Sequence, residues 1–168
     1  MELYLMNLST GEGNWISLPT KNEFISSFIM DNRISTRLYE EYIIADTNFE
    51  DELYLEIGEL DSPYEVNELI SEYESLDRYE QKVILALLET EGNSLKNFRD
   101  ALSRREDEAL YLEGSIQDEY DLGYFMIQES GQLGQVPDWL RPYIDYEAYG
   151  RDVILEGSAT LTKFGALI

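Results

Sequence analysis

The spacing of apolar and polar positions predicts short strands and amphipathic helices along the chain. Residues 2–8, ELYLMNL, alternate weakly and suit a strand, and STGEGN after them suits a turn. WISL at 15–18 suits a second strand, ended by Pro19. Thr20 followed by Glu23 is a capping-box pattern, and Phe24, Ile25, Phe28 and Ile29 form the apolar stripe of a helix ending near Met30. EYIIAD at 41–46 reads as a strand. LYLEI at 53–57 fits either state. From 61 to 105 the period is helical throughout. Ser62 caps a helix with Pro63 in its first turn and Val66, Leu69, Ile70 and Tyr73 inward. A second helix starts near Asp77, carries Val83, Ile84, Leu87 and Leu88, and breaks at Gly92–Asn93. Ser94 caps a third, with Leu95, Phe98 and Leu102 inward.

Beyond residue 105, ALYL at 109–112 suits a strand. Ser115 then caps a helix through Tyr120, Tyr124 and Ile127, with Gly131 past its end. Gly131 and Gly134 open an individual stretch, residues 131–157. Pro137 and Pro142 bracket Trp139 and Leu140, leaving room for one helical turn. Tyr143, Tyr146 and Tyr149 follow at i, i+3 and i+6, a spacing that puts them along one side of a helix ended by Gly150. The last residues read as a hairpin, with strands at about 152–156 and 159–164 and Glu156, Gly157 and Ser158 at its turn. The expected architecture is α+β, in three small units at 1–60, 61–105 and 106–168.

Charge changes this picture most. Of 168 residues, 35 are acidic and 12 basic, for a net charge of −23. Such an imbalance opposes folding through self-repulsion, so something outside the fold maintains it. Fifteen acids and one base, Arg78, lie between residues 40 and 80, and eight acids and no base between 106 and 129. The candidate acidic surface comprises Glu40, Glu41, Asp46, Glu50, Asp51, Glu52, Glu56, Glu59, Asp61, Glu65, Glu68, Glu72 and Glu74. In the last unit it adds Glu113, Asp118, Glu119 and Asp121. On the helix from 63, Glu65, Glu68 and Glu72 share the face opposite the apolar stripe, with no lysine interleaved. Lys96, Arg99, Arg104 and Arg105 cluster about one acid, Asp100, and interrupt the stripe.

Magnitude decides what such a surface can imitate. Duplex DNA carries one charge per ~1.7 Å, so a charge of −23 matches roughly 39 Å of duplex. A compact chain of this length has a diameter of about 40 Å. The protein therefore carries about the charge of an equal length of DNA.

Composition also excludes chemistry. There is no cysteine and no histidine, so disulfides, thiolate metal sites and the usual nucleophile–histidine pairs are absent. The acidic run 46–52 lacks the glycine and the later glutamate of an EF-hand, and no phosphate-binding glycine loop occurs. No cofactor, metal or catalytic residue is expected. No apolar run approaches 18 residues and the N-terminus has no basic start, so neither a membrane span nor a signal peptide is expected, and the expected location is the cytoplasm.

LRPYIDYEAYGRD at 140–152 closely resembles the signature segment of the ArdA antirestriction proteins. GQLGQVPDWL at 131–140 fits the same family, as do LYEEYIIAD at 38–46 and the chain length. The middle of the chain resembles the family in acidity and helical character. The resemblance implies a DNA mimic that occupies the DNA groove of a type I restriction-modification enzyme, most tightly its methyltransferase and specificity core. Carboxylates would stand for phosphates, and no catalysis is needed. It further implies an elongated homodimer of three α+β units and carriage on a mobile element. No basic patch is large enough for DNA and the net charge of −23 repels it, so no direct binding of nucleic acid is expected. Tyr143, Ile144, Asp145, Tyr146, Tyr149, Gly150, Arg151 and Asp152 match the family string, with a structural or dimer-forming role. Composition alone equally supports an acidic binding module for other basic proteins. A salt-adapted protein is a third reading and a carboxylate enzyme the last.

Overall fold

The computed structural model describes residues 1–34, 42–49, 52–105, 112–129 and 136–168. The fold is mixed α+β, with two small sheets and six helices among these residues. Backbone contacts gather the chain into two compact units. One is Met1–Gln81 with Glu91–Ser103, the other Lys82–Thr90 with Arg104–Ile168.

The first unit is built on β1 (Glu2–Asn7), whose alternation places Leu3, Leu5 and Asn7 inward. β1 is the middle strand of an antiparallel sheet, between β2 (Gly13–Ser17) and β3 (Tyr42–Asn48). Asn7 is buried but bonded. Its side-chain oxygen accepts from the Ser9 and Thr10 amides at 2.8 and 3.1 Å, and its Nδ2 donates to the Arg33 carbonyl at 3.1 Å. That last contact ties the β1–β2 turn to the chain beyond α1 (Asn22–Asp31).

The expected Thr20–Glu23 capping box does not form. The cap position is Lys21, with no side-chain cap. Thr20 is held instead by Asn67 of α2 (Pro63–Ser75): its amide donates to Asn67 Oδ1 at 2.7 Å, and Asn67 Nδ2 donates to its carbonyl at 2.8 Å. One buried amide thus satisfies both polar groups of Thr20's backbone, as a neighbouring strand would.

α2 follows its sequence signals. Ser62 accepts from the Glu65 amide, Pro63 occupies the first turn, and Val66, Leu69 and Ile70 are buried. The ambiguous stretch 53–57 is extended. Leu53 and Leu55 are buried and Tyr54 is exposed, but among the described residues only Glu56 pairs, in an isolated bridge to Ser94. α4 (Leu95–Arg104) buries Leu95, Phe98, Ala101 and Leu102, and Tyr73 of α2 sets its ring 5.8 Å from Phe98.

α3 (Arg78–Glu91) has residues in both units. Its pattern suggests one inward stripe, yet residues 83–88 are all buried, including Leu85 and Ala86. This stretch of the helix is apolar on every side and has no solvent face to give, whereas the ends, Arg78 and Tyr79 and residues 89–91, are exposed. Asp77 and Glu80 cap it reciprocally, at 3.0 and 2.9 Å, and Gly92 ends it at φ 96°.

The second unit joins a small sheet to a helix pair. β4 (Leu112–Glu113), β5 (Thr160–Thr162) and β6 (Gly165–Leu167) are antiparallel in the order β4-β6-β5. The remainder of the expected strand 109–112 lies outside the described residues. α5 (Glu119–Tyr124) runs on into a π-helical turn, Phe125–Glu129, and packs on α6 (Tyr146–Leu155). Ile116, Leu122, Met126, Val153, Ala159 and Ala166 form the core.

Three expectations are corrected here. Asp118, not Ser115, caps α5, accepting from the Asp121 amide at 2.9 Å. Gly150 does not end a helix but lies in the middle of α6. Residues 152–155 are the last turn of that helix rather than a strand, and the hairpin forms later, at 160–167. A three-residue apolar run such as Val153–Leu155 has no period of its own, and the helix claims it because Tyr146, Gly150 and Val153 bury one face.

Candidate acidic interface

α2 presents the clearest acidic face. Its buried residues turn Glu68 and Glu72 to solvent, with Glu74 exposed beyond them and Glu65 half-buried. Glu68 Oε1 accepts from Asn22 Nδ2 at 3.5 Å, at the edge of hydrogen-bonding distance. A shallow groove beside this ridge is lined by Thr20, Asn22, Asn67, Glu68, Ser71 and Glu72. Glu65 on this face is engaged by a cation. Its carboxylate forms an ion pair with the guanidinium of Arg99 on α4.

The other candidates divide by what they hold. Asp46, Glu52, Glu56 and Glu59 are exposed in the same unit. Asp61 closes a turn by accepting from the Gly58 amide at 2.7 Å. In the second unit, Glu113 accepts from the Ser115 amide and hydroxyl at 3.1 and 2.8 Å. Asp118 is the α5 cap, and Asp121 accepts from the Gln117 amide at 3.2 Å. Glu119 is half-buried in the first turn of α5. Acids near a helix N-terminus meet the positive end of the macrodipole, so this small cluster has a local reason to exist. Glu40, Glu41, Glu50 and Asp51 lie outside the described residues.

The tyrosine stripe does not survive as one surface. Tyr143 closes a short 3₁₀ turn, Arg141–Tyr143, and is 81% exposed. Tyr146 begins α6 and is buried, its ring 5.5 Å from Tyr120 and 5.4 Å from Tyr124. Gln128 Nε2 donates to its hydroxyl at 2.7 Å. Tyr149 is half-buried against the core. Asp145 caps α6, accepting from the Ala148 amide at 3.0 Å. Ile144 is half-buried, and Arg151 and Asp152 are exposed. The prolines break the helical phase: the chain is extended at Ile144, so Tyr143 belongs to the turn before the cap.

Some acids with structural partners escape a reading of the sequence. The reciprocal Asp77–Glu80 cap was detectable as a D-x-x-E pattern. Glu89 was not: both its oxygens accept from the Lys163 amide, at 3.1 and 3.3 Å, across 74 positions of sequence. Nor was the choice of Glu65 by Arg99.

Among the described residues, no group of three or more acidic side chains is arranged to hold a metal ion, and no helix is long and apolar enough to cross a membrane. None of the curated proteins matches the chain. The family model of the antirestriction protein ArdA matches residues 7–167, and the chain, covered almost from end to end, belongs to that family.

Proposed function

We propose that this protein inhibits type I restriction-modification enzymes by presenting carboxylates where their DNA groove expects phosphates. The family implies the antirestriction activity. The observation that carries the mimicry is the placement of the acids: none of the described candidates is buried, and Glu68, Glu72 and Glu74 stand exposed on one helix backed by an apolar core. A groove lined with Lys and Arg for DNA finds complementary charge there, and a net charge of −23 steers the encounter. The protein acts by occupancy and needs no catalytic group. The methyltransferase and specificity core, which holds the DNA groove, is the proposed point of contact, so modification is blocked along with cleavage. The elongated three-unit form and the homodimer belong to the same proposal, with exposed Trp139 and Tyr143 as apolar surface for a second copy.

The test is survival of unmodified phage DNA in a restricting cell that expresses this chain. Protection, together with saturable binding to the purified methyltransferase core in competition with duplex DNA, is the expected outcome. Protection without competition by DNA would place the contact outside the groove.

A further inference from the structure

We infer that Arg99 attenuates the acidic face of α2 by neutralising Glu65, so that the chain binds its target less tightly than its own fold permits. The inference deepens the proposed function and rests on it. α4 is anchored by buried Phe98, which meets the ring of Tyr73 on α2. The next residue, Arg99, sets its guanidinium on the Glu65 carboxylate.

Both side chains stay within reach of solvent, at 49% and 38% exposure. A partner approaching Glu68 and Glu72 therefore meets, on the same face, a carboxylate already engaged by a cation. The pair is locally neutral. Glu65 offers a basic groove neither net charge nor a free oxygen pair, and the guanidinium repels the groove's own cations. An exposed ion pair contributes little to folding, so removing Arg99 leaves the fold standing and returns one negative charge to the face.

Charge arithmetic makes the test specific. Binding to a type I methyltransferase core is titrated at several salt concentrations. Arg99→Gln should bind roughly two- to fivefold tighter than the parent at low salt, the range for one solvent-screened charge. Its affinity should also fall more steeply with salt. Arg99→Lys keeps the charge and should retain parental affinity. Glu65→Gln leaves Arg99 bare and should bind more weakly, while the double Glu65→Gln/Arg99→Gln, again locally neutral, should return to the parental value. Lys163→Gln makes the same change in net charge in the other unit and should not reproduce the gain. Melting temperatures should stay within about two degrees, and Arg99→Met, which keeps the aliphatic stem, reads the same charge change if glutamine disturbs the fold. Parental binding that weakens with salt while folded Arg99→Gln and Arg99→Met bind no tighter would overturn the attenuation alone. So would an equal gain from Lys163→Gln. Parental binding indifferent to salt would instead remove the mimicry on which the inference rests.

Discussion

Gly123 of α5 and Gly150 of α6 face each other across the helix crossing. A Cβ on Gly150 would lie 2.9 Å from the Gly123 amide nitrogen, and one on Gly123 would lie 3.0 Å from that of Gly150. Each would also run into a carbonyl of the opposite helix, Glu119 for Gly150 and Tyr146 for Gly123. Two backbones touch here, and only hydrogen fits between them. The position reads as a helix stop in the sequence and serves as a contact in the fold.

Gly150→Ala should therefore destabilise despite alanine's better helix propensity. The obstacle is backbone, which cannot rotate away, so the helices must separate. Overpacking of this kind costs about 3 kcal/mol, or roughly ten degrees of melting temperature for a chain of this size. Gly157 is the internal comparison. It ends α6 at φ 75° with nothing within 4 Å of a new Cβ, so Gly157→Ala meets only the left-handed backbone penalty of about 1–2 kcal/mol. Thermal unfolding followed by circular dichroism orders the two; an equal or smaller loss for Gly150→Ala would contradict the backbone contact.

Tyr146 and Tyr143 should separate cleanly. Tyr146→Ala empties a buried aromatic site and should cost about 3–5 kcal/mol. Tyr146→Phe loses only the bond from Gln128 and should cost about 1 kcal/mol. Tyr143→Ala should leave unfolding of the single chain within about 0.5 kcal/mol, as an exposed side chain does. If Tyr143 belongs to the dimer surface, sedimentation velocity will show the Tyr143→Ala chain shifted toward monomer; an unshifted dimer would place that surface elsewhere.

No single acid should be indispensable. Exposed charges contribute about 1 kcal/mol or less each, so Glu65→Gln, Glu68→Gln and Glu72→Gln should each weaken inhibition slightly and all three together clearly. The readout is inhibition of restriction in vitro with the fold checked by melting. Abolition by one substitution in a folded chain would point to a localised site instead of a distributed charged face.

Salt should act on the fold and on the complex in opposite directions. The Debye length falls from about 8 Å at physiological ionic strength to about 3 Å at 1 M. Self-repulsion among 35 acids, with none of the described candidates buried, is then screened, and the melting temperature should rise. Attraction to a basic groove is screened by the same ions, so binding should weaken. DNA loses affinity with a slope of about −0.9 per phosphate neutralised. The protein's slope should share that sign and be smaller, because its acidic face is interrupted at Arg99. Titration of the methyltransferase beside a duplex control measures both slopes, and an affinity flat or rising with salt would assign the contact to apolar surface.

Local physics made part of this molecule legible in the sequence. α2 is bounded by Ser62 and Pro63, α4 by Ser94, and α3 by Asp77 and Gly92, because a cap reaches only three or four residues and its partners are written beside it. The alternation of β1 and the exposed acids of α2 follow from period alone. The family, too, was legible, from the string at 140–152.

Tertiary structure decided whatever depended on a distant partner. Thr20 has the local pattern of a capping box, but Asn67, 47 positions away, takes its backbone polar groups. Gly150 looks like a terminator until Gly123 gives its bare Cα a use. Glu65 is indistinguishable from Glu68 and Glu72 by spacing, and only the docking of Phe98 on Tyr73 brings Arg99 to one of the three. Helical period determines which side of α2 is charged. Which of those charges Arg99 engages depends on the packing of another helix, and that information lies in contacts between residues that the sequence holds far apart.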